Sequence, residues 1–223
     1  QYERFAESDF IASDATFGVT VGPSHFHAGG ARVELPGCRG EVRFGPLAPW
    51  PVTWRSPGVM GWYAWIPTMQ CYHGVVSLDH ALSGALEVHG ERWDFDGGRG
   101  YIEKDWGRSF PKRWIWLQCN TFEDEAICVT ASVADVPWIR GSFPGFLVGV
   151  WRRGRLTRFT TYTGARVRRA ERTEDGVALT IEDRRHRLDI RARGGTPIAL
   201  HAPSERSMRG IVREHLGARL ELR

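Results

Sequence analysis

The length, composition and charge of the chain are those of an ordinary globular protein. Its 223 residues are 42% hydrophobic and 25% charged, which is enough for a substantial buried core. No run of about 18 apolar residues occurs, so the sequence predicts no transmembrane helix. Residues 151–223 hold 18 arginines and 9 acidic residues, interleaved along the segment. We therefore expect a solvated strand face there and no nucleic-acid partner.

The aromatic residues, the cysteines and the absence of certain motifs further narrow the possible functional classes of this protein. Ten Trp and eleven Phe favour strands, and they suit either an apolar cavity or a sheet packed on itself. The four cysteines form no CxxC pair, so we expect reduced thiols and a cytoplasmic protein, with peripheral membrane contact as a further expectation. The chain opens at Gln1 without an initiator Met, so we expect the natural protein to begin upstream. GxSxG, Walker A and HExxH motifs are absent, which leaves hydrolase, nucleotide and metalloprotease functions without support.

Along the chain, period-two alternation and turn residues recur, whereas helical periodicity is nowhere sustained. The sequence therefore predicts an all-β antiparallel barrel or sandwich. Residues 22–30 are predicted to form a polar loop, and the Pro-rich residues 45–57 an irregular connection. In the first part of the chain, the predicted strands are residues 17–21, 31–35, 41–44, 73–77, 84–89 and 92–95.

The second part of the chain continues the same pattern of short strands and turns. Here the predicted strands are residues 100–106, 115–121, 126–132, 146–152, 156–162, 165–172, 177–182, 186–191 and 218–222. The pair 115–121 and 126–132 is predicted to form a hairpin. A turn at Asp96-Gly97-Gly98 divides the chain, so we expect two β halves, residues 1–96 and 97–223.

Residues 100–106 are the segment with the strongest chemical pattern. As a strand, it places Tyr101, Glu103 and Asp105 on one face, and Lys104 and Trp106 on the other. Carboxylates that are buried close together raise one another's pKa, and a protonated carboxyl group beside an apolar cavity is suited to general-acid catalysis. The alternative is that both acids form salt bridges with nearby lysines and arginines and only hold a strand junction together.

Two groups of histidines are candidates for a site. His25 and His27 are two residues apart, but the spacing supplies no third ligand, so we predict no metal site. His73 opens a predicted strand after the aromatic residues 62–72, where it can orient a carboxylic acid or a hydroxyl group. A hydrogen-bonded core histidine is the alternative.

Residues 100–122, GYIEKDWGRSFPKRWIWLQCNTF, closely resemble the central signature of plant tocopherol cyclases, which read EKNWG, then FP, then a Trp-rich strand ending in QCN. The chain is still more similar to bacterial tocopherol cyclase-like proteins from about Met60 onward, for example at Cys71-Tyr72-His73-Gly74 and residues 159–165. It is more distantly similar to carotenoid hydratases. Asp105 stands where the plant enzymes have Asn.

The resemblance implies a lipocalin-like pair of antiparallel β halves around a deep apolar pocket. It also implies cofactor-free, acid-catalysed cyclisation or hydration of an isoprenoid alkene, with a hydrophobic small molecule such as a prenylated hydroquinone as partner. Glu103 or Asp105 would supply the proton, and Tyr101 or His73 would orient the acid or accept the phenol proton. The residues expected to contact the substrate are Trp65, Trp106, Trp114, Trp116 and Lys104.

Two alternatives share the same fold. A non-catalytic lipocalin-like carrier for a lipid, quinone or isoprenoid needs the pocket but not the acid. A purely structural member would pair Glu103 and Asp105 with arginines. An enzyme would have Glu103 or Asp105 facing the cavity unpaired, whereas the structural member would also fill its interior with Trp.

Overall fold

The computed structural model describes residues 3–14, 16–123, 127–138, 141–204 and 207–223. They form 18 strands and two short 3-10 turns, Glu7–Asp9 and Gly61–Trp65, so the all-β antiparallel prediction is confirmed. No helix within these residues is long and apolar enough to cross a membrane.

The first nine strands are β1 (Phe10–Ala12), β2 (Gly18–Val21), β3 (Ser24–His27), β4 (Gly30–Leu35), β5 (Cys38–Phe44), β6 (Cys71–Val88), β7 (Glu91–Asp94), β8 (Arg99–Gly107) and β9 (Trp114–Cys119). The remaining nine are β10 (Ile127–Trp138), β11 (Gly141–Arg152), β12 (Arg155–Thr160), β13 (Arg166–Arg172), β14 (Gly176–Glu182), β15 (Arg187–Arg193), β16 (Thr196–Ser204), β17 (Ser207–Leu216) and β18 (Arg219–Leu222).

The chain folds into two compact units. The first comprises Gln1–Trp50 and Val76–Ile102, and the second Pro51–Val75 and Glu103–Arg223. The long strands β6 and β8 pair with each other, and each contributes residues to both units. The predicted division into residues 1–96 and 97–223 stays a prediction.

The first unit is an antiparallel meander in which neighbouring strands follow one another in the chain, from β1 to β7. Tight turns make this order possible. Between β6 and β7, His89 and Gly90 both have positive φ, 50° and 87°, as a two-residue hairpin turn requires.

Two predictions in this unit are wrong. Residues 22–30, predicted as a loop, contain strand β3, which pairs with both β2 and β4. The two predicted strands 73–77 and 84–89 are parts of one strand, β6. Ser77 and His80 are buried in the middle of β6 and hydrogen-bond to each other, so the strand continues through them.

The second unit contains a β-sandwich. One sheet has the order β12-β11-β10-β9 and the other β13-β14-β15-β18, and their apolar faces share one core. Val129, Val148 and Phe159 from the first sheet and Leu179 and Ile181 from the second are at most 2% exposed. The predicted pairing of these two strands is confirmed, since β9 pairs antiparallel with β10, and residues 124–126 of the connection lie outside the described residues.

A separate two-stranded sheet, β16–β17, was not predicted from the sequence. Its strands carry Pro197, Ala202, Pro203 and Gly210, which weaken strand propensity, so the sequence pattern pointed only to the last strand of the chain. That strand, β18, is confirmed and pairs with β15.

Candidate active site

His73, Glu103 and Asp105 meet in the second unit, and we call these three residues the acid cluster. His73 comes from β6, and the two acids come from alternate positions of β8. Nδ1 of His73 lies 2.5 Å from Oδ1 of Asp105, and Nε2 lies 3.6 Å from Oε2 of Glu103. The imidazole ring therefore lies between the two carboxylates, hydrogen-bonded to Asp105 and within ion-pair distance of Glu103.

The acid cluster is partly removed from solvent, and Asp105 is its most exposed member. The side chains of His73, Glu103 and Asp105 are 14%, 20% and 30% exposed. Burial alone would lower the pKa of His73, but the hydrogen bond to Asp105 and the charges of Glu103 and Asp105 outweigh it and raise that pKa. The structure thus favours a protonated imidazole between two acids. Burial next to Asp105 also raises the pKa of the Cys71 thiol to about 12, so this neighbour stays neutral.

Two further residues hold the acid cluster in place. The indole Nε1 of Trp116, on β9, donates a hydrogen bond to Oε2 of Glu103 at 3.2 Å. The backbone N–H of His73 donates to Sδ of Met60, at 3.1 Å, just before the turn Gly61–Trp65. The side-chain direction of Glu103 and the backbone position of His73 therefore depend on parts of the chain that are distant in sequence.

The opposite face of β8 is aromatic. Trp106 stacks on Tyr72 of β6, with ring centroids 5.4 Å apart and planes 12° apart. Nζ of Lys104 lies 5.1 Å from the centroid of the Trp106 ring, within the range of a cation–π contact. The predicted alternation along β8 is therefore confirmed for residues 103–106, with the acids on one face and Lys104 and Trp106 on the other.

The four tryptophans predicted to contact substrate have ring surface open to solvent. Trp65 is 66% exposed, Trp106 48%, and Trp114 and Trp116 38% each. Of these, Trp116 contacts the acid cluster directly. Trp114 packs on Phe110, with centroids 5.5 Å apart. Their role in substrate binding stays a prediction.

Tyr101 also lies on β8, two residues before Glu103, and is half-buried. It belongs to the first compact unit, whereas the acid cluster lies in the second. Its predicted catalytic role stays a prediction.

The acid cluster has the donor atoms of a cation site. One ligand atom from each of His73, Glu103 and Asp105 lies within 4.8 Å of the others, and imidazole and carboxylate groups are ordinary ligands of divalent metals. His25 and His27 are engaged elsewhere: Nδ1 of His25 lies 3.1 Å from Oγ1 of Thr20, and Nδ1 of His27 accepts the N–H of Gly29 at 3.0 Å.

A buried polar pair in the first unit was not singled out by the sequence. Nδ1 of His80 lies 3.0 Å from Oγ of Ser77, and the two residues are 4% and 0% exposed. Burial lowers the pKa of His80 and favours the neutral ring. The spacing of three residues within a long strand carries no recognisable motif, so no sequence signal pointed to this pair.

Comparison with known proteins supports the resemblance of residues 100–122. A rice protein (Oryza sativa subsp. japonica) named "Probable tocopherol cyclase, chloroplastic" is 27% identical over 172 residues, which are 74% of this chain and 36% of the rice protein. A maize protein (Zea mays) named "Tocopherol cyclase, chloroplastic" is 28% identical over 131 residues, which are 56% of this chain and 28% of the maize protein. The chain thus spans about a third of the length of these curated relatives.

The family assignment covers almost the whole chain. No solved structure matches it. The family model described as tocopherol cyclase-like, however, matches residues 10–223, which include most of both compact units and every residue of the acid cluster. The chain belongs to the tocopherol cyclase-like family.

Proposed function

We propose that this protein is an enzyme that protonates an isoprenoid alkene and thereby cyclises a prenylated hydroquinone or a similar hydrophobic substrate, without a cofactor. The observation that carries this proposal is the imidazole of His73 held between Glu103 and Asp105. Membership of the tocopherol cyclase-like family and the names of the rice and maize relatives support a cyclase-type reaction.

The acid cluster offers a route for the proton. Asp105 binds Nδ1 of His73 and fixes the ring, so that Nε2 points toward Glu103. Transfer of the Nε2 proton to Glu103 gives a carboxylic acid beside a neutral imidazole. Glu103 then protonates the less substituted alkene carbon and leaves a tertiary carbocation. The phenol oxygen bonds to this cation, and the phenol proton returns to the cluster, so no proton is consumed overall.

The indole of Trp116 has two roles in this scheme. Its N–H holds the reacting carboxyl group of Glu103, and its partly exposed ring can present a π face to a nearby cation. A cation formed next to Glu103 would therefore meet an aromatic surface as well as a carboxylate. Water capture of the same cation would give the hydration product instead.

A non-catalytic carrier of the same kind of ligand is the alternative. The exposed aromatic residues of 51–70 favour contact with an apolar molecule whether or not a reaction follows. In that segment Trp54, Trp62 and Trp65 are 77%, 48% and 66% exposed. A carrier makes no use of a protonated imidazole between two acids, so the acid cluster favours the enzyme.

Turnover by variants of the acid cluster tests the proposal. Glu103→Gln removes the proton donor, and Asp105→Asn removes the base that orients the ring. His73→Gln removes the imidazole that lies between the two acids. We expect each to lower the conversion of a prenylated hydroquinone to a chromanol by about 10²-fold or more, measured by chromatography and mass spectrometry. Asp135→Asn is the matched control, because Asp135 is a carboxylate of the same unit that binds Arg113 at 2.7 Å.

The outcomes separate the two functions. Loss of turnover with unchanged substrate affinity in the cluster variants supports the enzyme. Substrate binding without conversion by the unmodified protein supports the carrier. Full turnover by both Glu103→Gln and Asp105→Asn would contradict the assigned acid.

A further inference from the structure

The outer face of the second sheet of the sandwich forms a cleft lined by arginines, which we call the arginine cleft. The inner face of this sheet supplies Leu179, Ile181 and Ile190 to the core. On the outer face, β14 presents the small side chains of Ala178 and Thr180, and Glu182 at its end binds Arg168. Ala178 and Thr180 form the floor of a cavity of about 430 Å³.

Strand register explains why the cleft is basic. Thr180 lies opposite Arg169 of β13 and Asp189 of β15, and Ala178 lies opposite Arg191 of β15. Side chains opposite one another in a sheet project from the same face, so long arginines flank the small residues of β14. Ala178 and Thr180 are 4% and 6% exposed although they face outward.

Some of the lining arginines are neutralised by acids. Oδ1 of Asp189 accepts the hydroxyl of Thr180 at 2.6 Å, and Oδ2 accepts Nε of Arg187 at 2.9 Å. These bonds lower the pKa of Asp189, which stays a carboxylate. The guanidinium group of Arg169 likewise donates a hydrogen bond to the carboxylate of Glu171.

Arg191 and Arg223 are the remaining cations of the cleft, offset in part by Glu221, which lies opposite Arg191 on β18. Both arginines line the cavity, and within the described part of the chain neither guanidinium forms a hydrogen bond or an ion pair. Arg191 also lines an adjoining cavity of about 250 Å³, together with Arg169 and Arg193. The guanidinium-bearing residues Arg169 and Arg191 thus line both cavities.

We propose that the arginine cleft binds the phosphate group of a phosphorylated small molecule. A guanidinium group matches two phosphate oxygens at once, and the arginines that line the cavity outnumber the acids that line it. The hydroxyl of Thr180 and the carboxylate of Glu221 lie at the same cavity and can contact the polar remainder of such a ligand. This site involves none of the acid cluster residues, so it goes beyond the proposed cyclisation.

Calorimetric titration with inorganic pyrophosphate, at about 50 mM and about 150 mM salt, tests this site. We expect saturable one-to-one binding that weakens as salt rises but persists at the higher concentration. Arg191→Gln should weaken binding about tenfold, and Arg191→Lys should lose less, because it keeps the charge but not the two-oxygen contact. Arg158→Gln, an exposed arginine on β12, is the matched control and should bind normally.

A second arm distinguishes a free phosphate compound from a lipid headgroup. Vesicles of phosphatidylcholine with and without phosphatidic acid are sedimented with the unmodified protein and with Arg191→Gln. Pyrophosphate binding without vesicle binding supports a soluble ligand, and phosphatidic acid-dependent sedimentation that Arg191→Gln abolishes supports a lipid phosphate. Equal behaviour of Arg191→Gln and Arg158→Gln in both arms would overturn the site.

Discussion

His73 is the residue on which the chemistry of the acid cluster depends, because each of its ring nitrogens faces a different carboxylate. Removing Asp105 would free Nδ1, and removing Glu103 would free Nε2. The sequence pattern and the family resemblance nominated all three residues, but the spacing of 32 residues between His73 and Asp105 could not show that they touch. Their contact depends on the pairing of β6 with β8, which is a tertiary property.

The protonation of His73 can be measured directly. Because the hydrogen bond to Asp105 and the two acidic charges raise its pKa, we expect the ring to titrate above about 6.5, the value of an unperturbed histidine. Asp105→Asn should move the midpoint down. NMR of the imidazole signals across pH 5–9 gives both values, with His73→Gln as the assignment control. A midpoint below about 6.5 in the unmodified protein would contradict the geometry.

The same raised pKa makes stability depend on pH in a defined direction. A group whose pKa is higher in the folded than in the unfolded state stabilises the fold below the unfolded pKa, and this stabilisation is lost as pH rises through the folded pKa. We therefore expect the stability difference between the unmodified protein and His73→Gln to shrink from pH 6 to pH 9. Urea unfolding at each pH measures it. A difference that grows with pH would mean that burial dominates the pKa of His73.

At the scale of elements, β8 was predictable because its alternation is regular, and β3 and β6 were not. In β6, the buried polar residues Ser77 and His80 hydrogen-bond to each other, and the sequence does not show this contact. In β3, two histidines beside glycines resemble a loop, although the strand is paired on both sides. The local sequence indicates only strand propensity, whereas these strands are stabilised by pairing with strands elsewhere in the chain.

The end of β8 is sensitive to a single methyl group. Gly107 has φ 145°, and a Cβ atom there would collide with the backbone oxygen of Gln70. We expect Gly107→Ala to destabilise the protein by about 2 kcal/mol, as overpacking does. Gly58→Ala is the control, because Gly58 has a similar φ of 154° with nothing within 4 Å of the added carbon. Equal melting temperatures of the two variants would show that β8 does not end in this close contact.

At the scale of the whole molecule, composition and alternation sufficed for the all-β class, and the signature in residues 100–122 sufficed for the family. The packing of two sheets into one sandwich core required the structure, because alternation identifies buried faces but not which faces meet. The solvent exposure of the tryptophans could not be predicted from the sequence either, since residue type alone does not determine how much of a ring is covered.

The sandwich core should carry much of the stability of the second unit. Ile181 is fully buried between the two sheets, so Ile181→Ala should cost about 2–5 kcal/mol in chemical unfolding. Leu216→Ala removes a side chain that is 57% exposed and should cost far less. If both variants unfold at the same denaturant concentration, the shared core is not the main stabilising contact.

Deuterium incorporation into the product decides whether the acid cluster transfers a proton to an alkene. With a prenylated hydroquinone in D₂O, acid-catalysed cyclisation places one deuterium on the former alkene carbon of each product molecule. We expect this label in the product of the unmodified protein and of Asp135→Asn, and its loss together with turnover in Glu103→Gln. A chromanol formed without carbon-bound deuterium, or labelled equally well by Glu103→Gln, would contradict the assignment of the acid cluster as the proton donor.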